Sequence, residues 1–137
     1  VALGSVLPDI DYPHSPIGRL VKLPFNLDPR VDAVGRYPWH RKFTHTLAFA
    51  LVIAASGFVF PTYAMWLWCM AIGCTTHILA DALTPWGVPL LWPVSPLKDP
   101  VSLAGIGVGS QAESLVAASA WLVVALIMAP RVFAWLR

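Results

Sequence analysis

Charge is what this sequence has least of. Asp, Glu, Lys and Arg make up 12% of its 137 residues, about half the share usual in a soluble domain. The net charge of +2 is too small to argue for a nucleic-acid partner. Only two cysteines are present, Cys69 and Cys74. Five positions apart on a helix they point to different faces, so they argue against a disulfide between them and leave the redox compartment open. There is no internal repeat, and Val1–Leu7 has neither the basic start nor the cleavage site of a signal peptide. Gly105-Ile-Gly-Val-Gly109 follows no strand and precedes no Lys-Ser/Thr pair, which excludes a phosphate-binding loop of the usual kind.

What is abundant is apolar surface. Hydrophobic residues make up 58% of the chain, with seven Trp, and the mean hydropathy is +0.69. The reading that follows is an all-α, polytopic membrane bundle forming one domain over residues 1–137. Three apolar runs are expected to span: Thr46 to about Phe60, Tyr63 to Leu83, and Ser114 to about Ala129. Val1–Leu7 is too short to cross and reads as the tail of a helix, which makes the domain incomplete at its N-terminal side. Pro and Gly dominate residues 84–112, so a loop, in part re-entrant, is expected there.

The polar residues that do occur are placed at the ends of these runs. His77 and Asp81 lie four apart near the end of the second. Four helical residues turn the chain by roughly 40° and lift it by about 6 Å, so both side chains share one face. Cys74 shares that face, where a packed thiol is the ordinary role. Asp9 and Asp11 sit between Pro8 and Pro13, which predicts extended backbone with both carboxylates on one side; a helix cap is the plainer role for either. His40 and His45 flank Arg41-Lys42 just before the first run. They are about 140° apart on a helix, so both reach one centre only if the helix begins beside them. Pro38 suits such an entry, and two interfacial histidines beside the anchor Trp39 are the alternative. Glu113 opens the last run, where a carboxylate also favours a helix N-terminus. Ile17, Leu20, Val21 and Leu23 suggest a short helix at the membrane surface, against a plain solvated loop.

In an up-and-down bundle all of these groups fall on one membrane side. Carboxylates and imidazoles gathered there suit a divalent metal: Zn first, with Mn or Fe(II) as alternatives, and one or two ions. Asp9, His40, His45, His77 and Asp81 are the expected ligands. Asp11 or Glu113 is the expected general base or further ligand, and Arg41 the group that meets an anionic substrate.

Leu-Pro-Asp-Ile-Asp, His-Arg-x-x-Thr-His, His-x-x-x-Asp and Leu-Thr-Pro-Trp-Gly-Val-Pro-Leu-Leu-Trp-Pro, in this order, resemble the YdjM family of bacterial inner-membrane proteins. Gly109-Ser-Gln-Ala-Glu113 is similar to that family's Gly-x-x-x-Glu segment. The resemblance covers Gly4 to about Leu115. It implies a multi-pass protein of the bacterial inner membrane and a membrane-bound, metal-dependent hydrolase. Through a remote similarity to the zinc-dependent phospholipase C and P1 nuclease group, it also implies phosphoester hydrolysis. The partners implied are the lipid bilayer and a phosphate-bearing lipid or small molecule. The rival reading is a non-enzymatic inner-membrane protein with a structural metal site, serving envelope or stress physiology. Ion transport ranks below both, because the runs 46–60 and 114–129 hold no charged residue in mid-span.

Alternation of the runs puts Arg19, Lys22, Arg30, Arg36, Arg41, Lys42 and Lys98 on the side of the polar groups, and Arg131 and Arg137 on the other. The richer side belongs in the cytoplasm. Alkaline phosphatase fused after Arg137 should therefore be active and green fluorescent protein at the same point dark; the reverse pattern would refute a cytoplasmic site.

Overall fold

A computed structural model describes residues 1–21, 40–96 and 100–135. The expectations for Lys22, Leu23, Arg30, Arg36, Pro38, Trp39, Lys98 and Arg137 lie outside the described residues. Among the described residues five α-helices follow one another: α1 (Ala2–Val6), α2 (Pro16–Val21), α3 (Leu47–Val59), α4 (Ala64–Ala82) and α5 (Gln111–Trp135). Among the described residues there is no strand, only one antiparallel bridge between Val88 and Val101.

α3 and α4 form the central hairpin. Thr46 starts α3: its backbone is extended, and its hydroxyl accepts from Phe49 N at 3.1 Å while donating to Phe43 O at 2.8 Å. That is an N-cap that also anchors the turn before it. Pro61 forces Phe60 out of helical geometry, which ends α3. A single 3-10 turn, Pro61–Tyr63, then reverses the chain into α4. Trp68 fastens the pair by donating to Ala54 O at 3.2 Å, with its indole against Gly57. Leu51, Val52, Phe58, Met65 and Trp66 all point outward, as a lipid-facing surface requires.

One helix, Pro61–Ala82, is long and apolar enough among the described residues to cross a membrane. Of the three spans expected, this is the one shown among the described residues. The run after Thr46 supplies only the 13 residues of α3, about 20 Å of helix against a hydrocarbon core of about 30 Å. Residues before Thr46 are spent on the turn Phe43–His45 instead of lengthening the helix.

α1 packs across α4 through two glycines. A Cβ on Gly4 would overlap Met70 O, and one on Gly73 would overlap Val1 O. Small residues at such a crossing let two backbones meet. The loop after α4 folds back on the end of the helix. Leu103 N donates to Ala82 O and Ile106 N to Leu83 O, both at 2.7 Å, which satisfies carbonyls that a helix end leaves open. Gly87, at φ +62°, lets Val88 pair with Val101, and Leu90 O accepts from Leu47 N at 3.1 Å. Ala50, Cys74, Ile78, Ala82, Val88 and Leu90 form the buried cluster beneath. Cys74 is a packed, free thiol, and Cys69 is free as well.

The glycine crossing gives a sign that helix propensity alone would get wrong. Gly73→Ala in an open helix would stabilise by about 1 kcal/mol. Here it should destabilise by about 1–3 kcal/mol, because the added methyl must push α1 away. Thermal unfolding in detergent measures this, with Gly107→Ala as the control, since nothing lies within 4 Å of a Cβ there.

Candidate metal centre

Four segments meet at one point at the end of α4, three with side chains and one with a backbone carbonyl. The first is the turn Pro8–Asp11. It is a 3-10 turn, not the extended backbone that its prolines suggest. Pro8 stands at its first position, where a fixed φ suits a helical start and the missing N–H costs nothing. Three residues per turn send Asp9 and Asp11 in different directions. Ser15 holds the turn by donating to Asp9 O at 2.7 Å while accepting from Gly18 N at 2.9 Å, so α2 is fastened to it. Exposed Leu20 and Val21 give α2 an outward apolar edge. The second segment is the tight chain 40–45, where Arg41 takes φ +56° and His45 ends the turn capped by Thr46. The third is the last two turns of α4, with His77 and Asp81. The fourth is the C-terminal end of α1, which contributes a backbone carbonyl.

The atoms that meet are His45 Nε2, His77 Nε2, Asp9 Oδ1 and Asp81 Oδ2. His45 Nε2 lies 3.3 Å from Asp81 Oδ2 and 3.6 Å from Asp9 Oδ1. His77 Nε2 lies 3.5 Å from Asp9 Oδ1 and 3.6 Å from Asp81 Oδ2. A tetrahedron with ligand bonds of about 2.0–2.1 Å has edges of about 3.3–3.4 Å. These four separations are close to such edges, and the donor atoms of Asp9, His45 and His77 all lie within 4.8 Å of one another.

Proton positions follow from the partners on the far side of each ring. His77 Nδ1 is 2.6 Å from Ser5 O. A carbonyl only accepts, so Nδ1 carries a proton and Nε2 is the nitrogen turned to the cluster. Thr44 donates its one hydroxyl proton to Asp11 Oδ2 at 2.7 Å, so its oxygen accepts Nδ1–H of His45 at 3.1 Å. His45 Nε2 is then also the nitrogen turned to the cluster, and it is fully buried with no partner in hydrogen-bonding geometry. Two imidazole nitrogens thus face two carboxylates, an arrangement made favourable by a proton on each ring or by a metal cation between them. A ring fixed at one nitrogen to present the other is the usual arrangement for a metal ligand.

His40 adjoins the cluster. Its Nδ1 donates to Asp11 Oδ1 at 2.9 Å, its ring stacks on Tyr12, and its Nε2 is 4.0 Å from Asp9 Oδ1. Two sets of donors could therefore hold an ion, Asp9 with His45 and His77, and Asp11 with His40 and His45. The proton assignments favour the first, because in the second every facing atom is already engaged with Thr44 or Asp11. Arg41 reaches Asp81 Oδ1 at 2.9 Å and Thr84 Oγ1 at 3.0 Å. Glu113 is placed apart, in the first turn of α5, where it accepts from Gly109 N and lines a separate cavity of about 250 Å³ with Ala80, Leu83 and Thr84. Thr44, Ser5 and Thr84 carry no role in the sequence reading.

The whole chain, residues 1–136, matches the family model described as YdjM inner membrane protein. The chain belongs to the YdjM family. It is 42% identical over 98 residues to the inner membrane protein YdjM of Escherichia coli K12, which covers 66% of this chain and 46% of that protein. The Shigella flexneri protein of the same name gives the same figures. An uncharacterized protein of Bacillus subtilis, YvsG, is 38% identical over 95 residues, covering 67% of this chain and 54% of its own. The chain spans about half the length of these curated relatives. No solved structure matches. Membership assigns the chain to a family of the bacterial inner membrane, and it carries His/Asp groups that could hold a metal ion.

The charges of a YdjM site set its response to pH. Burial pushes His45 down, but hydrogen bonding with Asp81 and Asp9 outweighs it and raises its pKa above the usual imidazole value. Burial likewise pushes Asp9 up, and His45 and His77 outweigh that and hold it below the usual carboxylate range. For the metal-free protein, the raised His45 adds stability below its unfolded pKa of about 6.5 that is lost as pH rises through its folded value. Asp9 adds stability at higher pH that is lost as pH falls through its lowered value. Protons and metal compete for the same nitrogens. The increase in Tm on adding Zn²⁺ should therefore be small at pH 5.5 and grow steadily towards pH 8.5. A pH-independent increment, measured by differential scanning fluorimetry, would contradict binding at these histidines.

Proposed function

We propose that the chain is the metal-binding part of a membrane-bound hydrolase, acting on phosphoester bonds at the cytoplasmic face of a helical bundle. The observation that carries this reading is His45 Nε2, a buried ring nitrogen with no partner in hydrogen-bonding geometry, aimed at Asp9 and Asp81 beside His77. His45, His77, Asp9 and Asp81 would hold the ion, and His40 is left as a further ligand beside them. Two imidazoles and two carboxylates in a tetrahedral spacing suit Zn best. When bound, such an ion supplies Lewis-acid chemistry, polarising a phosphoryl or carbonyl oxygen and activating water.

The protein side of the chemistry is orientation and access. Ser5 O and Thr44 fix the two ring tautomers. Asp11, buried with both oxygens engaged, keeps the proton on His40 Nδ1. The cluster is closed at His45 and opens at Asp9, whose side chain is 30% exposed, and at His77 and His40, each at 20%. A substrate thus has one side from which to approach. The resemblance of His77-x-x-x-Asp81 to the ligands of zinc-dependent phospholipases C and P1 nucleases supports phosphoester over other substrates. One observation favours the rival reading, a structural metal clasp: four protein donors can fill a tetrahedron unaided.

Full-length protein, purified and analysed for metal, then assayed on phosphoester substrates, separates the two. Under the hydrolase reading, His77→Ala and Asp81→Ala should insert normally, lose metal, and lower hydrolysis by more than about 100-fold, beyond the roughly 10–100-fold typical of residues that only orient a ligand. Bound metal without turnover of any phosphoester would favour the clasp. Unchanged metal content in both variants would move the site elsewhere.

A further inference from the structure

Arg41 is the one non-glycine residue with positive φ among the described residues. A side chain with a Cβ is disfavoured there, and such conformations persist where the surroundings require them. The requirement is visible in what the guanidinium does. Nη2 donates to Asp81 Oδ1 at 2.9 Å and Nη1 to Thr84 Oγ1 at 3.0 Å. Thr84 in turn donates to Asp81 O at 2.7 Å. The planar fork thus bridges a side chain and a hydroxyl that is itself fixed to the end of α4. Glycine at position 41 would relax the backbone and lose this bridge entirely.

The consequence falls on Asp81. Its Oδ1 is committed to Arg41, and only Oδ2 faces His45 and His77. A free carboxylate can give one oxygen or two to a cation; this one is held to one. With Asp9 Oδ1, the nearest donor atoms are two nitrogens and two oxygens, and Asp81 is the carboxylate held to one of them. Zn²⁺ accepts such a set, whereas Mn²⁺ and Mg²⁺ favour six oxygen-rich positions.

Building on the metal-site reading above, we propose that Arg41 is a specificity-determining residue. By holding Asp81 to a single donor oxygen, it keeps the site small and selects Zn²⁺ over Mn²⁺. Its work is done through Asp81 and not by contact with substrate.

The test uses the full chain in detergent, with Co²⁺ as a spectroscopic probe and Zn²⁺/Mn²⁺ competition read by metal analysis. Four-coordinate Co²⁺ absorbs strongly in the visible, and higher coordination numbers absorb weakly. Wild type should give the strong band and a clear preference for Zn²⁺. Arg41→Gly should show a weakened band and a Zn²⁺ preference reduced by at least about 10-fold. Arg41→Lys, which keeps charge without the fork, should fall between. Thr84→Val removes one anchor of the guanidinium and leaves residue 41 untouched; it should shift band and preference in the same direction, and it carries the test if Arg41→Gly does not fold. A wild-type band and preference in Arg41→Gly, or in Thr84→Val where that variant carries the test, overturns the role of Arg41 while the metal site stands. Wild type that binds neither Co²⁺ nor Zn²⁺ overturns the metal site itself, and the inference with it.

Discussion

Two imidazole nitrogens and two carboxylate oxygens aimed at one point are the constraint from which the rest of this molecule can be understood. Without a proton or a cation among them, His45 Nε2, His77 Nε2, Asp9 Oδ1 and Asp81 Oδ2 would repel one another. The hydrogen bonds that orient them are each built by a different part of the fold. Ser5 O requires α1 to lie against α4, which requires Gly4 and Gly73. Thr44 requires Asp11, which requires the turn after Pro8. Asp81 requires Arg41, which requires a left-handed residue before the turn into α3. Losing any one of these leaves a buried polar atom badly served, at a cost of about 1–3 kcal/mol for a neutral group and more for a charged one.

Polar groups are gathered at helix ends because an apolar bilayer tolerates them nowhere else cheaply. α4 illustrates the compromise. Its lipid-facing turns carry Met65, Trp66 and Ile72, and its ligating residues appear only in the last two turns. The same end receives the loop 84–106, whose N–H groups close the exposed carbonyls of Ala82 and Leu83. Irregular backbone is thus placed where it has partners.

Much of this was legible from the residues. The helical period puts His77 and Asp81 on one face, Pro61 marks the reversal between α3 and α4, and Cys74 reads as a packed thiol. Three features were not legible, for physical reasons. Proline before an aspartate biases both towards extended backbone and towards the first turn of a helix; burial of Pro8 and the bond from Ser15 to Asp9 O decide for the turn. The length of α3 depends on where Thr46 caps it, and a hydrophobic run that includes Phe43 does not reveal that the chain there is already turning. The partners that fix the imidazoles are a main-chain carbonyl and a threonine, and neither stands out in a sequence.

The bond from Leu47 N to Leu90 O, together with the bridge between Val88 and Val101, ties the first residue of α3 to the loop that closes α4. The hairpin is therefore clamped at one end and joined at the other by a single turn of three residues, Pro61–Tyr63. Such a body is fixed at both ends and moves as one piece. A bilayer that thickens or thins is met by tilting the whole hairpin, whose joined end exposes Phe58, Phe60 and Trp66.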